Sequence, residues 1–577
     1  MQYLLFCLAF LATIPPSIAK GTDQAPLRHS ELPRKTVINH GLDADTSRYI
    51  QGIAEHFHVP SISIAVLNGN ETTFEVFGHA ILPDTLATLD TMYYIASSTK
   101  SSTAASLLYT LRQQEKTSGN KQQPWTVDSK LRDILGEDFA LPSEYATHHA
   151  TIKDALAHRL GLARCDESYG GEDYGISDLA RSLRHLPTIA ELRQQYHYLN
   201  QGYMLVQAVI QKLSGRWIGE VHREALWEPL GMDTTVIKLS DALELDRGAG
   251  NATLAFGYSY NPLTGRHDHQ PWTDTDLVGG GGIISTISDM AKWVRAFVEG
   301  GASLPLGKQD FEALRTPLII TGGSVRIEHM SPILYAMGWD TMHYRGERLI
   351  THSGELPGYS SQMAYLPDRQ WGLVMLSNAD AFAQEAFEAI YLRLLDDGLD
   401  VPASDRQADL VPELDASLER QVDTAVGDAR KRFYPHAPDP PVPRALPLQA
   451  YTGRYWNDGF RELKLRVEKK ALASTPAWDP EAPVLRADWH RVVNTTIELE
   501  WVSGEQFLAW VETEVWSLLG GAVPAEFRVG ADGKVESLGV YLEPSLIERG
   551  EMIWFDRIVD DDKEDELNVA KSMPGEL

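Results

Sequence analysis

The sequence predicts two folded units in tandem. The first is an α+β domain, an antiparallel sheet flanked by helices with an added all-helical subdomain; the second is a small all-β barrel or sandwich. Three observations carry this. A helical pattern and two hairpin-linked strand patterns open the chain, and strand patterns return after residue 338. The stretch between them is mostly helical in its apolar spacing. Beyond a proline-dense stretch, Pro435 to Pro447, the texture changes to short alternating segments. At 577 residues the chain is also too long for one ordinary domain.

The elements follow in order. Ala44 to His58 carries Tyr49, Ile53 and Phe57 at helical spacing. Ser61 to Leu67 and Thr73 to Phe77 read as strands joined by the turn Asn68-Gly69-Asn70. Tyr93 to Ile95 is a short extended run, after which Ala104, Leu107, Leu108 and Leu111 mark a helix that begins near Ser97. Thr151 has the character of a helix cap, and Tyr198-Leu199-Asn200 precedes a long helix through Met204, Leu205, Val209 and Leu213. Gly279 to Gly282 form a loop, and a helix starts near Ser288-Asp289. Gly338-Trp339 and Leu349 to Thr351 are strand segments leading into a turn over His352 to Gly358. Strands near Met363 to Leu366 and Trp371 to Ser377 precede a helix over about 386–395, and a polar helix spans Leu410 to Arg432. In the last unit, alternation marks seven segments: Tyr451–Trp456, Leu463–Val467, Ile497–Trp501, Phe507–Trp510, Phe527–Val529, Val535–Val540 and Met552–Phe555. The expected boundaries are 1–19 (leader), 36–405 (α+β domain), 406–447 (helix and Pro-rich linker), 448–558 (β domain) and 559–577 (acidic, disordered tail).

Composition narrows the function classes. A net charge of −28 argues against nucleic acid, because a phosphate binder needs a basic surface. Leu4 to Ile14 has the length of a signal-peptide core, with small residues before a cleavage position after Ala19, so the mature chain is expected to be secreted. Pro15 and Pro16 end that run short of a membrane span, and no later segment is apolar enough to cross a bilayer. Asn70, Asn251 and Asn494 head Asn-x-Thr sequons, which fit glycosylation of an exported protein. Cys7 leaves with the leader, so Cys165 has no intrachain partner and reads as a small buried residue. His267-Asp268-His269 lacks further ligands nearby and reads as a polar loop; no metal or organic cofactor is implied.

Ser97 and Lys100 stand three apart at a helix start. Side chains at that spacing share a face, so the amine lies beside the hydroxyl, and first-turn N–H groups favour negative charge. A serine so placed has a proton acceptor and oxyanion donors, the needs of an acyl-transfer nucleophile. The strand–Gly-x-Ser-x-Gly–helix elbow of the α/β-hydrolases is absent from the sequence.

Ile95-Ala96-Ser97-Ser98-Thr99-Lys100-Ser101, Tyr198-Leu199-Asn200 and His352-Ser353-Gly354 together resemble the three ordered motifs of the serine β-lactamase and penicillin-binding protein family. The Tyr-x-Asn form is similar to its class C β-lactamase, esterase and D-aminopeptidase branch, over roughly 43–395. Tyr451-Thr452-Gly453-Arg454-Tyr455-Trp456 and Ala525 to Val529 resemble the lipocalin-like domain appended to some members. The resemblance implies a β-lactamase/transpeptidase-like fold and a serine hydrolase cleaving an ester, amide or peptide through an acyl-enzyme. It implies Ser97 as nucleophile, Lys100 as proton acceptor with its pKa lowered by burial and nearby positive charge, and Tyr198 as partner acid/base with its phenolate favoured by that lysine. Asn200 would bind Lys100 and a substrate carbonyl. The N–H groups of Ser97 and Glu355 would form the oxyanion hole, and Gly354 would keep the strand bare for substrate. His352 replaces the family's lysine, which favours esterase or amidase specificity over penicillin hydrolysis. His158 looks like a pocket-shaping family segment or a satisfied core histidine. The alternatives are an acyltransferase using the same acyl-enzyme, and a catalytically silent protein using the β domain as a ligand cup.

Overall fold

The computed structural model describes residues 41–118, 124–171, 174–248, 252–262, 264–322, 327–426, 429–469, 483–492, 494–513 and 521–558. The leader with its cleavage position, Cys7, Asn251 and the acidic tail lie outside the described residues.

Helix α1 (Ala44–His56) starts where the Asp43 carboxylate accepts the N–H groups of Asp45 and Thr46, both at 3.0 Å. Strands β1 (Ser61–Asn68) and β2 (Glu71–Ile81) pair antiparallel across a turn in which Gly69 has φ +54° and Asn70 is exposed. The chain then passes through the helices α2 (Thr99–Ser118), α3 (Ile152–Leu156), α4 (Asn200–Ser214) and α5 (Ile287–Val298). Thr151 caps α3 in a reciprocal box with Asp154, as its residue type predicts.

Four strands complete the centre of the sheet: β3 (Asp340–Tyr344), β4 (Glu347–Leu356), β5 (Tyr359–Leu366) and β6 (Trp371–Ser377). Together with β1, β2 and three two-residue strands they form a nine-stranded antiparallel sheet, in which β6 lies between β1 and β5. Its side-chain alternation feeds two cores. Leu373 and Met375 pack with Ile50 of α1 and with Phe387 and Ile390 of helix α6 (Ala381–Gly398). Val374 and Leu376 join the opposite cluster, with Val294 and Phe297 of α5. Because both faces are covered, β6 is buried at every position. Each such aliphatic side chain contributes about 1.5–3 kcal/mol relative to exposure.

Three expectations need correction. The stretch 352–356 is not a turn; it continues β4, and the chain reverses only at Pro357-Gly358, with Gly358 at φ +72°. Gly338 and Trp339 precede β3 without being part of it. The polar helix is two helices, α7 (Val411–Val426) and α8 (Ala429–Phe433), and the proline stretch after them lies against the barrel. There, Tyr434 Oη donates to Phe507 O at 2.9 Å, and the Val442 N–H donates to Ser503 Oγ at 3.0 Å.

The C-terminal unit is a closed barrel of eight antiparallel strands: β7 (Gly453–Asn457), β8 (Arg461–Lys469), β9 (Pro483–Trp489), β10 (Thr495–Ser503), β11 (Gln506–Thr513), β12 (Ala522–Val529), β13 (Val535–Val540) and β14 (Ile553–Arg557). Pairing of Tyr455 with Arg557 closes it and leaves no sheet edge. Strand β9 has no counterpart among the seven alternating segments. Its outward Arg486 and Asp488 and its leading proline hide a strand whose Leu485, Ala487 and Trp489 point inward. Phe460, Trp489, Phe507, Phe527 and Phe555 are buried inside. Among the described residues, tryptophan and phenylalanine rings thus pack in the barrel interior. Asn494 is exposed just before β10.

Candidate active site

Ser97 sits in a single 3-10 turn, Ala96–Ser98, that feeds α2. Ala96 takes φ +49°, a conformation costly for a residue with a Cβ, and both Ala96 and Ser98 are fully buried. Ser97 between them is partly exposed, so the strained turn presents one hydroxyl to the outside.

Lys100 lies one turn on and has no solvent exposure. Its Nζ donates to Ser97 Oγ at 3.0 Å, Asn200 Oδ1 at 2.7 Å and Gly280 O at 2.6 Å. An ammonium has three donors, and all three are matched. Burial lowers the Lys100 pKa to about 7, against the opposing pull of Asp166. The expected neighbouring cation is therefore not the cause; desolvation is. Tyr198 Oη donates to the same Ser97 Oγ at 2.7 Å. Burial pushes its phenol above the ordinary value, so its phenolate is disfavoured, contrary to expectation. Of the two groups touching Ser97, the lysine is the one able to lose a proton near neutrality.

Tyr198 and Asn200 flank the start of α4. The peptide N–H between them, that of Leu199, donates to His158 Nδ1 at 3.0 Å. His158 is fully buried, with its ring 4.4 Å from that of Tyr198, and burial holds its pKa well below the usual range. It shapes the pocket as a neutral ring.

Strand β3 pairs with β4 only through residues 347–351, which leaves β4 unpaired on that side from His352 onward. A Cβ on Gly354 would sit 2.3 Å from Ile95 O and 2.9 Å from Ser97 N. The glycine is thus required by the serine turn itself. Glu355 follows on the strand, where burial and the nearby Asp380 raise its carboxyl pKa to about 7. His352 is nearly buried; its Nε2 accepts from Tyr335 Oη at 3.0 Å, and its Nδ1 donates to Ser353 O at 2.6 Å. Burial and Lys100 lower its pKa to about 3, so it is a neutral side chain with both nitrogens engaged.

The structure therefore brings Ser97, Lys100, Tyr198 and Asn200 into direct contact and sets Gly354 against them. His352 bonds Tyr335 and lies near enough to Lys100 to feel its charge. Two residues that sequence reasoning passed over also belong here. Asp166 accepts from Asn200 Nδ2 at 3.3 Å, and Arg164 lies over the Tyr198 ring at 5.5 Å. The only available signal was the charge density of Arg164-Cys165-Asp166-Glu167 beside a buried cysteine. Cys165 itself is fully buried, and its thiol pKa is raised well above the usual value. Among the described residues, no three His, Cys, Asp or Glu side chains cluster as a metal site. His267 to His269 lie on a strand, Arg266–Gln270, paired with Gly257–Asn261, not in the expected polar loop, and His267 Nε2 bonds His58 O at 2.6 Å.

The family pattern described as Beta-lactamase matches residues 46–397, and a domain of unknown function (DUF3471) matches 437–557. The chain is 34% identical over 523 residues to Unguisins hydrolase ungD' of Aspergillus campestris, covering 89% of this chain and 91% of that one. It is 22% identical over 399 residues to a D-aminopeptidase of Gluconobacter oxydans, covering 67% of this chain and 69% of the relative. Among solved structures, the octameric penicillin-binding protein homologue from Pyrococcus abyssi aligns with a TM-score of 0.54 at 20% identity, over 89% of this chain and 100% of that one, a likeness of fold. With Ser97, Lys100, Tyr198 and Asn200 joined by hydrogen bonds and the beta-lactamase pattern matched over residues 46–397, the chain belongs to the beta-lactamase family.

Proposed function

We propose that this protein is an exported serine hydrolase that cleaves an amide, or a related ester, through an acyl-enzyme on Ser97. The observation that carries the reading is the convergence of Lys100 Nζ and Tyr198 Oη on Ser97 Oγ, at 3.0 and 2.7 Å. In its neutral form Lys100 takes the Ser97 proton as Oγ attacks the carbonyl carbon. The N–H groups of Ser97 and Glu355 hold the resulting oxyanion. Tyr198 then passes its proton to the leaving nitrogen and recovers one from Lys100, and the amine departs. Water attacks the acyl ester with the same groups in reverse roles, which regenerates Ser97.

The relative named a D-aminopeptidase supports an amide substrate, and the one named an unguisins hydrolase supports water over another acyl acceptor. A neutral, fully engaged His352 supplies no cation for a substrate carboxylate at that position, which argues against efficient penicillin recognition. Export rests on the apolar Leu4 to Ile14 run. The test is labelling with a fluorophosphonate and a fluorescent penicillin, with Ser97→Ala as control. Labelling by the fluorophosphonate alone, lost in the variant, is expected. Penicillin labelling would overturn the specificity argument, and fluorophosphonate labelling of the variant would overturn Ser97 as nucleophile.

A further inference from the structure

Asp166 opens a one-turn 3-10 helix, Asp166–Ser168, in the loop that follows α3 and runs beside the start of α4. Its carboxylate accepts from Arg164 Nε at 2.5 Å, from Tyr169 Oη at 2.6 Å, and from Asn200 Nδ2 at 3.3 Å to each oxygen. An ionised carboxylate only accepts. The Asn200 amide nitrogen must therefore face Asp166, which leaves Asn200 Oδ1 facing Lys100 Nζ at 2.7 Å. With the amide turned over, two N–H donors would meet the lysine's own donors, and Lys100 would lose one of its three acceptors.

We propose that Asp166 is a positioning residue: through Asn200 it fixes the acceptor that holds the Lys100 amine against Ser97. The inference rests on the Ser97 acyl-enzyme reading. The barrel takes part in the arrangement. Glu543, in the segment after β13, accepts the Cys165 N–H at 3.4 Å, and Val492 packs against the same cluster of Leu179, Met204 and Leu277 as Tyr169 and Tyr174. The loop that carries Asp166 thus touches the domain of unknown function.

Charge provides a readout that packing alone would not move. The negative charge of Asp166 raises the proton affinity of both Lys100 and Tyr198. The other ionisable groups around Lys100 are Tyr198, Tyr203, His158 and His352; those around Asp166 are Arg164, Cys165, Glu167 and Tyr169, with His197 and, from the barrel, Glu543 alongside. Removal of the Asp166 charge therefore favours the deprotonated base, whichever of the two residues takes the serine proton. The acid limb of the rate profile must move to lower pH.

The experiment measures kcat and KM against pH for the full chain, with a chromogenic amide or ester, in wild type, Asp166→Asn and Asp166→Glu. Thermal midpoints are recorded alongside to establish that each variant folds. For Asp166→Asn the expected result is a fall in kcat of roughly ten- to a hundredfold, the range for a hydrogen bond to a charged group. KM should change little, and the acid limb should move to lower pH. Asp166→Glu should recover most of the rate and return the limb toward its wild-type position. An unmoved limb in a folded Asp166→Asn variant overturns the proposal. Ser97→Ala in the same assay separates the two readings: residual turnover there defeats the acyl-enzyme reading itself, and this proposal with it.

Discussion

The foot of α2 and the free end of β4 pack against each other, and each buries a nitrogen base, with opposite outcomes. Lys100 and His352 are both desolvated, and desolvation lowers the proton affinity of each. Lys100 starts from 10.5 and falls to about 7, which brings its proton affinity close to neutrality. His352 starts from 6.5 and falls to about 3, which removes it from proton transfer. Their partners enforce the difference. Lys100 faces three acceptors, one of them the serine, whereas the one lone pair of His352 is occupied by the Tyr335 hydroxyl. The same physical cost thus brings one base to neutrality and carries the other far below it, depending on where its proton affinity begins.

Two substitutions break this comparison, one on each side. Lys100→Ala removes the only group at Ser97 whose proton is labile near neutrality, and kcat should fall roughly 10²- to 10⁴-fold, the span of general-base catalysis. A loss below tenfold, measured by single-turnover acylation, would pass the role of base to another group. Tyr335→Phe deletes the donor to His352 and should act on stability, at about 0.5–1.5 kcal/mol for one net hydrogen bond. Its thermal midpoint should drop while the acylation rate stays within a few-fold of wild type. A rate loss as large as that of Lys100→Ala would return His352 to the chemistry.

The legible parts of this molecule were those written locally. Ser97 and Lys100 are three residues apart, Thr151 caps its own helix, and β1 and β2 are joined by an Asn-Gly turn, so each is fixed by its neighbours in sequence. The stretch 352–356 was read as a turn because Gly354, Pro357 and Gly358 carry turn chemistry. Only the Ser97 turn packed on Gly354 explains that glycine in a strand, and that contact spans more than 250 residues of chain. Strand β9 alternates Leu485, Ala487 and Trp489 with Arg486 and Asp488, but the prolines at 476, 480 and 483 ahead of it carry loop chemistry and obscure that pattern. Asp166 escaped notice because its partner Asn200 lies 34 residues away, and no spacing rule links a loop carboxylate to a distant helix start. Residue type already made His352 largely neutral near pH 7; long-range burial by its surroundings and the nearby Lys100 lower its pKa further, to about 3.

The most direct test of the account is the pH dependence of acylation itself, followed as the burst of product or label in the first turnover. Because Lys100 must be neutral to accept the serine proton, the rate should rise with pH and reach half its maximum near the lysine's pKa of about 7. Glu355 also titrates at about 7, so Glu355→Gln must keep the limb, whereas Lys100→Ala must lose it. A limb that vanishes with Glu355 and persists without Lys100, or a profile flat from pH 5 to 9, would contradict the assignment of Lys100 as the base.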